Sequence, residues 1–182
     1  PGSVHGMLTR RHMHEYGTTP EQLGANAVAA RQWAALNPDA RLTDRPLTIE
    51  SYLASPYVTE PLRIADCCVT SDLGGALVVT TAERARDLQQ SPVYIKGIGV
   101  GDQARKQWWE KSNYTRFDGA FAKQTAFDEA GVTNADIDVL ELYDCFTTET
   151  LIHLEDYGFC EKGEGGPFAE SGAIAPGGSL PL

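Results

Sequence analysis

The sequence predicts an α/β fold. Short apolar runs at 76–79, 93–100 and 139–142 have the length and composition of buried strands. Each is followed by a segment with helix start and stop signals, at 80–88, 118–130 and 147–157. Strands alternating with helices on this spacing build a sheet with at least partly parallel pairing. The third junction, Tyr143-Asp144-Cys145-Phe146, sets a phenol, a carboxylate and a thiol side by side. Open α/β sheets place ligands at such carboxyl edges, so this junction is the first candidate site.

The bulk composition narrows the function classes. The chain has 182 residues, 15 Lys and Arg against 25 Asp and Glu, and a formal net charge of −10. An acidic surface argues against nucleic acid as a partner, because phosphates are bound by a basic face. No apolar run approaches the roughly 20 residues of a spanning helix. Residues 1–16 carry Arg10 and Arg11 where a signal peptide needs an apolar stretch. A cytoplasmic location without membrane attachment is expected. The four cysteines, Cys67, Cys68, Cys145 and Cys160, lack zinc or redox spacing and are expected to be reduced thiols. The length suits one domain or parts of two. The chain opens without Met and closes in a glycine-rich turn at Ser179-Leu180-Pro181-Leu182, so it is expected to be a piece of a longer protein.

The elements follow in order. Residues 3–16 form a helix stopped by Gly17. Thr19 is the next N-cap, Pro20 takes the first helical position and Gln22 closes a capping box. That helix runs to Leu36, with Leu23, Ala27, Ala30, Trp33 and Ala34 on one face, and ends at Asn37-Pro38. Residues 39–61 are expected to be mostly loop, with a short helix at 48–54. The first strand spans 76–79 and a capped helix spans 80–88. The second strand spans 93–100. Residues 102–116, with Trp108 and Trp109, are a polar excursion. Asp118 caps a helix closed by Gly131. The third strand and its helix follow, and Gly158 ends that helix. Residues 161–179 are a glycine-rich loop. No short internal repeat is present.

Most of the chemically capable groups have a plain structural explanation. Gly97-Ile98-Gly99-Val100-Gly101 lacks the helix at its third glycine and the later acid of a dinucleotide site, so a tight sheet turn is expected. Gly163-Glu164-Gly165-Gly166 lacks the Gly-Lys-Ser/Thr of a phosphate loop and is expected to be a mobile loop. Cys67 and Cys68 have no local base to activate them and are expected to be buried. His12 and His14 cannot share a helix face or a metal, so a surface role is expected, and His153 is left open between core and surface. No metal site is predicted. Cys145 falls in the expected first helical turn and packs as a small hydrophobe. Tyr143 can exchange a proton at the end of its strand, and Asp144 at the helix start caps it. The alternative for this pair is a core tyrosine and a capping aspartate.

Several motifs then occur in one order. They are His14-Glu15-Tyr16-Gly17-Thr18-Thr19, Asn37-Pro38, Asp66-Cys67-Cys68, Ser71-Asp72-Leu73-Gly74-Gly75-Ala76, Asp144-Cys145-Phe146-Thr147, and the run from Leu154 through Gly158-Phe159-Cys160 to Gly166. Together they resemble the sterol-carrier-protein-x and lipid-transfer-protein branch of the thiolase superfamily, over essentially the whole chain. The resemblance implies the thiolase fold, two βαβαβαββ halves in an αβαβα sandwich, normally dimeric. This chain would cover its middle. Residues 1–90 would end the first half and include the loop region, and 91–182 would begin the second.

One departure from the family pattern directs the functional expectation. At the strand–helix junction thiolases carry Asn-Glu-Ala-Phe and the sterol-carrier branch His-Asp-Cys-Phe. Here it is Tyr143-Asp144-Cys145-Phe146. That variant looks like the steroid side-chain aldolases of bacterial sterol and cholesterol degradation. The resemblance implies retro-aldol cleavage of a β-hydroxy steroid acyl-CoA into a ketosteroid and propionyl-CoA. It implies catalytic roles for Tyr143 and Asp144, a second acid/base beyond Leu182, and no cofactor besides the substrate's CoA. It also implies a partner with an OB-fold and zinc ribbon, related to acyl-CoA hydratase components. Two alternatives are a sterol-carrier-type 3-ketoacyl-CoA thiolase and a non-catalytic lipid-transfer subunit. The early nucleophilic Cys and the late Gly-His-Pro and Cys-x-Gly of thiolases do not occur in these residues.

Overall fold

Thr19 sets the first rigid joint. Its hydroxyl accepts from the Gln22 amide at 3.3 Å while the Gln22 side chain accepts from the Thr19 amide at 3.1 Å. This reciprocal box starts α2 (Pro20–Leu36) immediately after α1 (Gly2–Tyr16), as the sequence predicts. The computed structural model describes residues 2–72, 74–101 and 113–182. Then come α3 (Ile49–Ala54), the antiparallel pair β1 (Tyr57–Thr59) and β2 (Leu62–Arg63), and α4 (Ala82–Arg86). Next are α5 (Gly119–Ala130), α6 (Thr147–Asp156) and α7 (Gly165–Glu170). Short 3-10 turns lie at Ile64–Asp66 and Asn134–Asp136.

The core gathers around α2 and α6. Leu23, Tyr52, Leu151 and Leu154 are fully buried, with Ile174 and Leu180 closing the cluster from beyond α7. Each large apolar side chain removed from water contributes roughly 1.5–3 kcal/mol. The helix α1 joins through Leu8, Thr9 and His12, all buried, and through a Thr9–Thr148 hydroxyl contact of 2.7 Å. Among the described residues no helix is long and apolar enough to cross a membrane.

The predicted strands are the main correction. Residues 76–79, 93–100 and 139–142 form neither helix nor paired strand among the described residues. Val78 is 89% exposed and Val93 is 96% exposed. A strand exists by its ladder, and among the described residues these segments have apolar strand character without a neighbour to pair with along their length. Residues 139–142 keep one backbone bond, from the Leu140 amide to the Pro181 carbonyl at 3.0 Å.

Smaller corrections have local causes. The loop expected at 39–61 contains β1, and the loop expected at 161–179 contains α7, where Gly165 and Gly166 are buried. Gly97, Gly99 and Gly101 form no turn. They lie extended along α5, and a Cβ on them would fall 2.0, 1.8 and 2.0 Å from the carbonyls of Ala126, Ala122 and Asp118. Only glycine permits that approach. Asp118 starts α5 without a side-chain cap bond. The excursion expected at 102–116 lies mostly outside the described residues.

Candidate active site

The segment carrying Tyr143 is fixed at its far end. Cys67 and Phe146 form an antiparallel bridge, and the Cys68 amide donates to the Cys145 carbonyl at 3.0 Å. The N-cap of α6 is Phe146, with extended backbone at φ −143° and ψ 148° and no side-chain cap bond. Asp144 is therefore not the cap, and Cys145 precedes the first turn instead of lying within it. The residues that could cap are turned elsewhere. The Thr147 hydroxyl donates to Asp66 at 2.5 Å, and Glu149, at the third helical position, faces Cys145.

That diversion builds a three-residue chain. The Cys145 thiol donates to Glu149 Oε2 at 2.8 Å. His5 Nε2, from α1, meets Glu149 Oε1 at 2.7 Å. The His5 ring stacks on Phe146 with centroids 4.3 Å apart. Glu149 is 5% exposed, so a carboxylate there needs both partners to offset its desolvation. Tyr143 lies two residues before Cys145, and the neighbouring thiol acts on its phenol. The phenol ring is 71% exposed. An exposed phenol thus stands two residues from a half-buried thiol, which donates to a buried carboxylate.

Burial and then the Glu149 carboxylate push the Cys145 thiol up to about 12, so it is a neutral donor. The adjacent thiol holds the Tyr143 phenol above its ordinary value, so it keeps its proton. Cys145 is not a packing hydrophobe. His5 Nε2, Cys145 Sγ and a Glu149 oxygen lie within 4.8 Å of one another, close enough to share an ion. However, each thiol or imidazole donor already faces a carboxylate acceptor, so the group is satisfied as it stands.

Asp144 faces the other way. It lines a cavity of about 490 Å³ with Arg31, Arg41, Asp66, Cys68 and Thr147. Successive residues of an extended chain point to opposite sides, so the two predicted site residues address different spaces. Cys67 is half-buried and Cys68 exposed, not both buried. In the cavity wall, Asp66 accepts from the Tyr52 hydroxyl at 2.9 Å and the Arg63 amide at 2.6 Å. Desolvation still raises its carboxyl.

Sequence reasoning missed a second cluster. His12, expected at the surface, is fully buried. Its Nε2 donates to Glu155 at 3.1 Å, and its Nδ1 contacts the Thr18 hydroxyl at 2.8 Å. Glu155 also receives Lys162 Nζ at 2.9 Å and the Gly165 amide at 3.0 Å. The available signal was the Leu8–His12 spacing, which puts the imidazole on α1's apolar face. His14 is exposed, and His153 is partly buried with its Nδ1 unpartnered. Glu149 resembled an ordinary first-turn acid, and its partner His5 lies 144 residues away in the chain.

Residues 102–182 match the family described as thiolase C-terminal domain-like. The solved structure of an Ltp2-ChsH2(DUF35) aldolase superposes on 98% of this chain with a TM-score of 0.93 at 40% identity. The chain belongs to the thiolase superfamily. Within that superfamily it is 41% identical, over its whole length, to the 17-hydroxy-3-oxo-4-pregnene-20-carboxyl-CoA lyase of Mycobacterium tuberculosis. It is 40% identical, again over its whole length, to the steroid side-chain-cleaving aldolase of Thermomonospora curvata. The chain spans about half of each relative, 48% and 47%, and 48% of the solved chain.

Proposed function

We propose that this chain is part of a thiolase-fold aldolase that cleaves a β-hydroxy steroid side-chain acyl-CoA by a retro-aldol reaction. The observation that carries the reading is Tyr143, a phenol presented to solvent at the junction before α6 and held protonated by the thiol beneath it. Support comes from the lyase and aldolase relatives at 41% and 40% identity.

The chemistry suits the group. In a retro-aldol cut the tertiary hydroxyl loses its proton and becomes a carbonyl. The carbon–carbon bond breaks, and its electron pair passes into the thioester enolate. Protonation of that enolate releases propionyl-CoA and leaves a ketosteroid. No acyl-enzyme forms, so no nucleophilic cysteine is required. Tyr143 exchanges the proton at the hydroxyl or enolate, a role worth about 10²–10⁴ in rate. Asp144, which faces the cavity on the opposite side of the segment, acts only indirectly, by holding the backbone that carries Tyr143. The substrate's CoA thioester is the only carrier group, with no further cofactor. The protein works in the cytoplasm as a homodimer with a DUF35-type partner, as in the name of the solved relative. Residues 1–90 end the first thiolase half and 91–182 begin the second.

The test is turnover of a β-hydroxy steroid acyl-CoA by the full protein without free CoA. Ketosteroid and propionyl-CoA are expected, and Tyr143→Phe is expected to lower the rate about 100-fold or more. An unchanged rate in Tyr143→Phe removes Tyr143 from the mechanism. Cleavage that strictly requires free CoA makes the protein a thiolase.

A further inference from the structure

Glu149 takes the third position of α6, where a glutamate normally turns back to the N-cap amide. It turns instead to two groups outside the helix. Its Oε2 accepts from the Cys145 thiol at 2.8 Å, and its Oε1 meets His5 Nε2 at 2.7 Å. The Cys145 sulfur lies 3.9 Å from the same His5 nitrogen. A nitrogen, a sulfur and a carboxylate therefore close a triangle. Among the described residues no other three His, Cys, Asp or Glu side chains converge in this way. Docking of α1 on α6 does not need the triangle, because the Thr9–Thr148 contact already joins those helices.

We propose that His5, Cys145 and Glu149 form a binding site for a zinc-class divalent cation, with water in the fourth position. The donor set selects the metal. Imidazole and thiolate suit zinc, whereas magnesium and calcium need several oxygens and this site offers one carboxylate. The charges close as well. A divalent ion, a thiolate, a carboxylate and a neutral imidazole sum to zero, the total least costly to hold around a Glu149 that is 5% exposed. The spacing also fits. With Zn–S of about 2.3 Å and Zn–N of about 2.0–2.1 Å, tetrahedral angles set sulfur and nitrogen about 3.5 Å apart. The distance present is 3.9 Å. The carboxylate oxygens need only draw back by about 0.6 Å to complete the tetrahedron, which small rotations of the Glu149 side chain supply.

The ligands are held in place by the fold. The Cys145 carbonyl accepts from the Cys68 amide at 3.0 Å, the His5 ring stacks on Phe146 at 4.3 Å, and α6 carries Glu149. Half-buried Cys145 and a His5 side chain 12% exposed leave a path for entry. Binding exchanges a proton for the ion. The thiol proton passes to solvent, the imidazole keeps its single proton on Nδ1, and Sγ and Nε2 turn their lone pairs to the metal. Without the ion the same three groups are joined by hydrogen bonds. The metal clips α1 to the junction before α6. No step of the cleavage passes through it, and the site does not depend on the aldolase reading. The sequence alone predicts no metal site because His5 lies 140 and 144 positions from the other two ligands.

The experiment titrates the full protein, untagged and reduced, with zinc chloride by calorimetry, and examines the protein loaded with one equivalent by X-ray absorption. One equivalent should bind with a Kd of about 10 μM or tighter, undisturbed by excess magnesium. The absorption should show one sulfur at about 2.3 Å and nitrogen or oxygen at about 2.0–2.2 Å from zinc. Cys145→Ser and His5→Gln should each weaken that equivalent at least about 10-fold. Cys68→Ser, which alters the exposed thiol nearby, should leave it unchanged. Should a variant fail to fold, the wild-type absorption decides, because it needs no substitution. A Kd weaker than about 10 μM overturns the site. So does zinc with no sulfur or two sulfurs around it, or an equivalent that Cys68→Ser removes and Cys145→Ser spares. Steroid cleavage is read separately in metal-free protein, so loss of this site leaves the aldolase reading standing.

Discussion

Glu155 is the residue whose loss should be felt most widely. Its carboxylate ties α1 through His12, the chain after α6 through Lys162, and the first turn of α7 through the Gly165 amide. The side chains of Glu155 and His12 are 0% exposed, and that of Lys162 is 18% exposed. Breaking such a buried pair costs about 3–5 kcal/mol; Lys162 would keep Asp156 at 3.2 Å, but His12 Nε2 and the Gly165 amide would lose their acceptor. Glu155→Ala should therefore lower unfolding free energy by about 3–5 kcal/mol, read as a shift in urea midpoint at unchanged slope. Glu155→Gln keeps the volume and one acceptor, so it should cost less. The pH dependence has a definite sign. Contacts with His12 and Lys162 hold the Glu155 carboxyl below its ordinary value of 4.5 against the opposing pull of burial. The ionised form is the one folding favours, so this stabilisation is complete above 4.5 and fades as pH falls through the lower folded value. Asp66 and Asp156 run the opposite way, because desolvation raises them. The clean readout is the difference between wild type and Glu155→Gln, which should shrink in acid. A Glu155→Ala midpoint equivalent to less than about 1 kcal/mol, or a difference that grows in acid, would refute the reasoning.

Two other outcomes follow from the geometry. Gly99→Ala should loosen α5, because the new Cβ would stand 1.8 Å from the Ala122 carbonyl, and backbone cannot step aside as a flexible side chain can. Faster amide exchange across α5 would report it, and unchanged protection would count against the contact. Thiol labelling near pH 8 should modify the exposed Cys68 first and leave Cys145 and Cys160 slow, since burial first of all pushes both up to about 12. Peptide mapping after brief alkylation distinguishes the order, and early modification of Cys145 would contradict it.

Local signals were legible in the sequence wherever one segment decides the outcome. Thr19-Pro20-Glu21-Gln22 encodes its own cap, and Gly17, Gly131 and Gly158 adopt the left-handed φ that ends a helix, at 75°, 68° and 71°. The position of Tyr143 before α6 was legible for the same reason. Signals failed where the answer depends on a distant partner. A strand propensity at 76–79 says nothing about whether a ladder neighbour is present. Asp144 looked like a cap because its type suits one, yet Phe146 holds that place and Thr147 points to Asp66. His5, Cys145 and Glu149 are ordinary residues until α1 lies against α6. His12 was assigned from its distance to His14, when its distance to Leu8 was the informative one.

The glycine stripe on α5 has a metrical consequence. Gly101, Gly99 and Gly97 meet the carbonyls of Asp118, Ala122 and Ala126 in turn. Two residues of extended chain advance about 6.6 Å, and four residues of helix advance about 6.0 Å. The two periods are nearly commensurate, so a glycine arrives opposite a carbonyl at each step. The segment and the helix therefore work as a rack and its pawl. A two-residue slip in one direction would bring Ile95 opposite one of the three carbonyls, and a one-residue slip would drive Ile98 or Val100 into the backbone. The glycines, which carry no chemistry, fix where α5 can sit along the chain.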